Sequence, residues 1–420
     1  MIWRFLPAPL AFVFFMGLAT TVKGEDWPGW RGPRGDGSSH EKNIPIEWSA
    51  DENTPPAEWK NIAWRTPLPG IGHSSPVVSG DRIFTNTADS EKQDRVLVSL
   101  DRKTGTVQWQ KTVVHAPLEK KHKLNSFASS TPATDGKHVY TTFLDQTDMV
   151  VAAYDFEGNQ KWLVRPGVFS SVHGYCSSPV IFQDLLIVNG DHDGESYVVA
   201  LERDSGKTRW KINRAKKTRS YSVPLIREVN GKPQMFLAGS YHVSGYDPTD
   251  GTLLWFVSTD HLRMQQYVAS LVYQHGLIFV TAGFPDRHFL AIRPDGTGDV
   301  TKTHIAWQDQ KGVSYVPSPI AEGDYFLVVS DDGIASEFEA KTGKRLWQER
   351  MGRHFSGSLV SAGGLVYFPD DDGITTVVRP GEKFEVVAKN TLGDASYSSP
   401  AISQGQIFIR TEKYLWAIGK

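Results

Sequence analysis

Short runs of β-branched and aliphatic residues recur along this chain, each closed by Asp, Gly, Asn or Ser. One stretch shows the whole unit. In residues 175–210 (YCSSPVIFQDLLIVNGDHDGESYVVALERDSGKTRW), Ser177-Ser178-Pro179 opens the strand PVIF and Gln183-Asp184 turns it into LLIVNG. Asp193-Gly194 then turns the chain into YVVALE, and Asp204-Ser205-Gly206 leads to a last strand at Trp210. Apolar runs bounded by turn formers are the pattern of antiparallel hairpins, so the unit predicts a meander of four strands. Such a sheet cannot bury both faces alone and needs neighbours.

The same signals return along the chain, marked by the residue after a serine pair or its equivalent: Pro76, Pro132, Pro179, Pro224, Leu271, Pro319, Leu359 and Pro400. Trp109, Trp162, Trp210, Trp255, Trp307 and Trp347 close the first six units. The seventh ends in FEVVAKN with no tryptophan, and the eighth runs out after three strands at Trp416. Residues 61–68, NIAWRTPL, form a strand with no neighbour in sequence, and Trp64 stands where the eighth unit lacks its last strand. Pairing the two ends removes an exposed sheet edge. The expected fold is therefore all-β: an eight-bladed β-propeller of four-stranded antiparallel blades, closed by pairing of N-terminal and C-terminal strands.

Outside the repeat, residues 1–24 read as a secretory signal. Arg4 precedes an apolar run over 5–19, and Val22-Lys23-Gly24 offers small residues at a cleavage point. That run is short for a bilayer span, so the mature protein is expected to be periplasmic or secreted, with no transmembrane span. Residues 25–60, which contain DWPGWRGPRGDGSS, are predicted to be irregular chain held down by Trp27 and Trp30, with a linker over 50–58. The propeller takes 61–420. A formal net charge of −2 over 420 residues gives no global field for nucleic acid. The single cysteine, Cys176, rules out a disulfide within the chain, so stability rests on packing.

Four pieces carry a family resemblance: SLDRKTGTVQW (99–109), ALERDSGKTRW (200–210), GYDPTDGTLLW (245–255) and EFEAKTGKRLW (337–347). Each has a small or acidic residue, an acid two places on, Gly seventh and Trp eleventh. AYDFEGNQKW (153–162) is one residue short, and AIRPDGTGDV (291–300) is degenerate. The pattern resembles the tryptophan-docking motif of the quinoprotein alcohol dehydrogenase-like propellers, the pyrroloquinoline quinone (PQQ) repeat superfamily. That superfamily includes the propeller subunit of the outer-membrane β-barrel assembly machinery. The resemblance covers about residues 61–420 and implies that each tryptophan packs between blades. It also implies, for the dehydrogenase branch, PQQ with calcium under a vicinal disulfide. Cys176 alone cannot form that disulfide, and the branch's calcium-binding Glu and Asn and its catalytic Asp map onto no position here.

In such a ring the residues just before each first strand surround the axis. They are His73, Phe127, Tyr175, Tyr221, Tyr267, Tyr315, Phe355 and Tyr397, every one aromatic or histidine. Bases stand beside them at His122-Lys123, His173, Arg219, Arg263, Lys311 and Arg353-His354. One reading is a funnel of stacking surfaces and cations for a planar or polymeric anionic ligand. The other is that the aromatics plug the channel and the bases are solvated rim. His73 is either a ligand or proton donor near neutral pH or a hydrogen-bonded substitute for tyrosine. Cys176 reads as a buried inert thiol. The acidic clusters Asp191-His192-Asp193, Asp331-Asp332 and Asp370-Asp371-Asp372 each adjoin a Gly between a second and third strand, which favours tight hairpins over metal ligation. With no nucleophile elbow, HExxH or phosphate loop, no catalytic residue and no metal ligand is assigned. The expected role is a non-catalytic exported scaffold that binds a protein partner or an anionic ligand. The alternative is a PQQ-dependent or quinoprotein-like oxidoreductase with a reduced site.

Overall fold

The computed structural model describes residues 24–51, 53–214, 216–263, 266–282 and 286–419, so the signal expected over 1–24 lies outside them except for Gly24. The described chain forms eight sheets, seven of four strands and the fourth blade of five. Ile62–Pro67 lies antiparallel on Tyr414–Ile418, with Trp64 opposite Ala417 and Pro67 opposite Tyr414, so the two ends complete the eighth blade as predicted. In the third blade the second and third strands, Leu185–Gly190 and Tyr197–Glu202, are buried almost throughout. A neighbouring blade covers each face, which is why they read as unbroken apolar runs. An outermost strand meets water on one side. Val107–His115 accordingly alternates half-buried and exposed over most of its length.

The repeated tryptophans dock one blade on the next. The indole N–H groups of Trp64, Trp109, Trp162, Trp210, Trp307 and Trp347 donate to the carbonyls of Arg102, Phe156, Arg203, Pro248, Ala340 and Gly381 at 2.8–3.2 Å. Each acceptor sits in the following blade's turn between third and fourth strands. The motif glycine has a steric reason: Gly105, Gly206 and Gly343 have φ of +72°, +71° and +74°, and a Cβ there would lie 2.5–2.8 Å from the ring of Trp64, Trp162 or Trp307. Only glycine tolerates both the left-handed backbone and the contact. The short copy still seats Gly158 against Trp109.

Two junctions depart from the pattern. Beside the degenerate copy, the Trp255 indole donates to Gln234 of its own blade, and Gly298–Asp299 pairs parallel with the Trp255 strand instead. The seventh blade has no docking tryptophan and is braced by the N-terminal segment. Trp48 is buried and stacks on Tyr367 at 6.3 Å, while the Asn390 side chain bonds the backbone of Trp48 and Ile46.

Around the axis the serine pairs form a belt. The backbone N–H of Ser75 donates to the Thr131 hydroxyl, Thr131 to Ser178, Ser270 to Ser318, Ser318 to Ser358, Ser358 to Ser399 and Ser399 back to Ser75, all at 2.9–3.0 Å. Every link joins the residues leading into the first strand of one blade to those of the next. The fourth blade carries Val223 at this position, and there the belt is open.

Residues 25–41 form a strap across the end of the axis where first strands turn into second strands. Trp27 exchanges both backbone hydrogen bonds with Val78 at 2.9 Å, Thr134 N–H donates to the Pro28 carbonyl, and the strap backbone at Gly37 and Ser39 bonds Ser361. Arg31 is buried, with its guanidinium donating to the carbonyls of Ser318, Pro319 and Leu359. The segment has no regular strand or helix over these residues and is bonded to the ring along its length.

Between the sixth and seventh blades Glu337 is fully buried. One carboxyl oxygen accepts Gly381 N–H at 2.7 Å and the other has no partner. Burial pushes its pKa up from 4.5 to about 7. Two outcomes are expected. Trp162→Ala should lower the unfolding free energy by about 3–5 kcal/mol in denaturant titration, as for other buried aromatics. The folded state holds the Glu337 proton that the unfolded chain releases, so stability should fall by about 3 kcal/mol as pH rises from 4.5 through about 7. Glu337→Gln should flatten that part of the melting-temperature profile.

Candidate functional site

The loops entering the first strands share the other end of the axis with the hairpins between second and third strands. The eight aromatic or histidine positions fall there in distinct settings. Tyr175, Tyr221, Tyr267 and Phe355 are buried within the apolar clusters between blades. The Tyr267 hydroxyl bonds Thr259, that of Tyr221 bonds Ser171, and that of Tyr315 donates to Gln266 at 2.8 Å. Half-buried His73 meets Tyr397 across the first and eighth blades at 4.8 Å between ring centres. Phe127 packs against the cluster between the first two blades, with Lys121 Nζ 5.0 Å from its ring centre. Phe169 joins Tyr175 and Tyr221, at 5.0 and 6.5 Å.

The bases divide. Arg219 donates to Asp193 at 2.6 Å, and Arg263 lies 3.5 Å from Asp286. Lys311 and Arg353 are exposed and have no ion-pair partner among the described residues. His122 and His173 face each other at 5.5 Å. Beneath His73, the buried Arg410 donates to Thr85, Asn86 and Thr87 of the first blade. Burial first, then Arg410 and Lys121, pushes His73 down to about 3, so its imidazole is neutral at physiological pH.

The acidic clusters sit in their hairpins and also hold neighbouring loops. Asp331 accepts the N–H groups of Tyr315 and Val316 at 2.9–3.0 Å, and Asp371 accepts the N–H and hydroxyl of Ser356 at 2.7 and 3.0 Å. Asp191 is paired with the equally buried Arg214 at 3.0 Å. Burial raises Asp370 to about 6, yet its oxygen accepts the N–H groups of Asp372 and Ile374. Among the described residues no three His, Cys, Asp or Glu side chains converge as a metal site.

Missing from the sequence reading are the exposed aliphatic side chains on these same loops. Leu124 is 74% exposed, Val172 62% and Ile71 51%, with Val316 at the far rim. A lone aliphatic residue inside a charged loop, as in KKHKL, is the signal that could have marked them. At the opposite end a cleft of about 170 Å³ lies between the strap and blades two to four, walled by Trp30, Pro33, Val180 and Leu225.

Cys176 is half-buried and the burial of its thiol pushes the pKa up to about 12. Almost none of it is thiolate at neutral pH, so the native protein should react with an aromatic disulfide reagent far more slowly than the unfolded chain. Equal rates would show an accessible, activated thiol.

This geometry can be compared with known proteins. The family model described as outer membrane protein assembly factor BamB matches residues 57–143, 121–239 and 239–417. Outer membrane protein assembly factor BamB of Burkholderia pseudomallei (strain K96243) is 31% identical over 101 residues, which is 24% of this chain and 26% of that protein. The match thus spans about a quarter of that relative's length. BamB from Moraxella catarrhalis superposes with a TM-score of 0.58 at 13% identity, over 85% of this chain and 98% of the other. Quinohemoprotein alcohol dehydrogenase from Comamonas testosteroni gives 0.56 at 11% identity, over 94% and 81%, and a europium-containing methanol dehydrogenase gives 0.56 at 11%, over 94% and 98%. At such identities the solved structures establish the shared fold alone. The family match, running from the closing strand through all eight blades, makes this chain a member of the PQQ-repeat propeller family described as outer membrane protein assembly factor BamB.

Proposed function

We propose that this protein is an exported, non-catalytic scaffold that binds a protein partner in the cell envelope through its funnel face. The observation that carries the reading is the difference between the two ends of the axis. The strap covers one end, with Arg31 bonded to the inner strands. The other presents loops fixed by side-chain-to-backbone hydrogen bonds and carrying Ile71, Leu124, Val172 and Val316 in water. Rigid loops with exposed apolar side chains suit recognition of another surface. Membership of a family described as an outer membrane protein assembly factor supports a partner in that process and a periplasmic location. No helix among the described residues is long and apolar enough to cross a membrane.

The alternative, a PQQ-dependent oxidoreductase, requires cationic donors free to take a planar tricarboxylate at the axis. Here Arg410 is bonded to the first blade and Arg219 to Asp193, which leaves Lys311 and Arg353 as the unpaired bases of the predicted funnel set among the described residues, and four of the funnel aromatics lie within the packing between blades. That arrangement favours the scaffold reading.

A photo-crosslinking amino acid placed at Val172 or Val316 should give discrete adducts with an envelope protein in cells, whereas one at Lys232, exposed on the opposite face, should not. Titration with PQQ and calcium should give no saturable heat. Saturable binding with a raised melting temperature would overturn the reading in favour of the oxidoreductase.

A further inference from the structure

We propose that the rim of blades two and three docks an acidic, aliphatic-bearing segment of a partner protein, held between the loop over residues 117–125 and the adjacent loop carrying Val172 and His173. This rests on the scaffold reading and narrows it to a partner chemistry.

The first loop is built to present its tip. At its base the buried Arg95 donates to the carbonyls of Ala116 and Pro117 and pairs with Glu119, the loop's one acid. At its far end the Asn125 amide donates to the His173 carbonyl at 2.7 Å, and its oxygen accepts from Ser126 and Ser129 at 2.8 and 2.6 Å. That bond ties the loops of the second and third blades together. Between these anchors stand Lys120, Lys121, His122 and Lys123, and among the described residues none of the three lysines has an ion-pair partner. Because Glu119 is taken up by Arg95, the tip is a concentrated positive charge in a chain whose formal net charge is only −2.

The aliphatic residues complete the site. Leu124 and Val172 are 74% and 62% exposed on the two loops that Asn125 joins, so they flank the lysines as one surface. A purely anionic polymer would satisfy the lysines and leave these side chains in water. A peptide with acidic and aliphatic residues satisfies both, and the fixed loop base reduces the ordering entropy lost on binding. Charge also sets the position on the ring. On the rim of blades seven and eight Asp371, Asp372, Asp394 and Glu412 lie around Tyr397, an excess of negative charge beside the exposed Arg353 that disfavours an acidic segment there relative to blades two and three.

The test uses the mature protein and a fluorescein-labelled synthetic peptide of alternating Glu and Leu, followed by anisotropy. Binding should be saturable and weaken with salt. Lys120→Glu with Lys123→Glu should raise Kd about tenfold or more. Leu124→Ser with Val172→Ser should raise it about tenfold while leaving the lysines in place. Both doubly substituted proteins should melt like the parent, since the altered side chains are exposed at a loop tip. Lys232→Glu, on the opposite face, should change nothing. The assignment is overturned by equal affinity for an all-Glu peptide, by equal weakening from Lys232→Glu, or by absence of binding. It is also overturned if sedimentation shows the protein self-associating through this rim, with the acidic arc of a second copy as occupant. Adducts from Val316 that persist without peptide binding would leave the scaffold reading standing and remove this one alone.

Discussion

The residues leading into the innermost strand of each blade have no strand beside them on the axial side, and their backbone groups must find partners all the same. The belt of amide-to-hydroxyl bonds from Ser75 through Thr131, Ser178, Ser270, Ser318, Ser358 and Ser399 answers that need for the N–H groups. Arg31 answers it for the carbonyls of Ser318, Pro319 and Leu359. Much of the rest follows. A hydroxyl stands at this position in every blade but the fourth, which carries Val223, and this makes the serine pair recur. The belt position also fixes how closely the blades approach, and hence which side chains can fill the wedges between them.

Those wedges widen outward, and the outer filling is the tryptophan on the next blade's glycine turn. Where a blade lacks that device, something else takes over: Gly298–Asp299 beside Trp255, and Trp48 with Ile46 against the seventh blade. The N-terminal segment therefore has two roles, bracing the weakest blade and covering one end of the axis. The consequence for function is polarity. A ring with one end strapped has one face of free loops, and the exposed aliphatic side chains Leu124, Val172 and Val316 lie on that face.

The blades, their closure and the docking tryptophans were legible because each depends on local pattern: an apolar run, a turn, a glycine and a tryptophan at fixed spacing. Even the departures were marked, since the degenerate copy at 291–300 is where docking changes. The role of the serine pair was not legible, although the pair itself served as the marker, because its bonds join residues some forty or more positions apart. Arg31 was missed for the same reason, its partners lying almost three hundred residues on. Funnel aromatics could be placed at the mouth but not oriented. Sequence spacing gives the end of a strand, whereas packing decided that Tyr267 would face the interior and His73 would lie over Arg410. The setting of Glu337 had one visible sign, a large acid where the other motif copies carry Ser, Ala or Gly.

The pairing of Ile62 with Ile418 also dictates an order of events. Seven blades can form from consecutive chain as it becomes available, each needing only its neighbour. The eighth cannot, because its outer strand is made first and its inner strands last. Until they meet, Ile62–Pro67 is a strand with an open edge and the ring is an open arc, so closure carries the largest sequence separation in the fold and is the natural slow step. The most aggregation-exposed interval of this topology therefore comes last, just before the two ends meet.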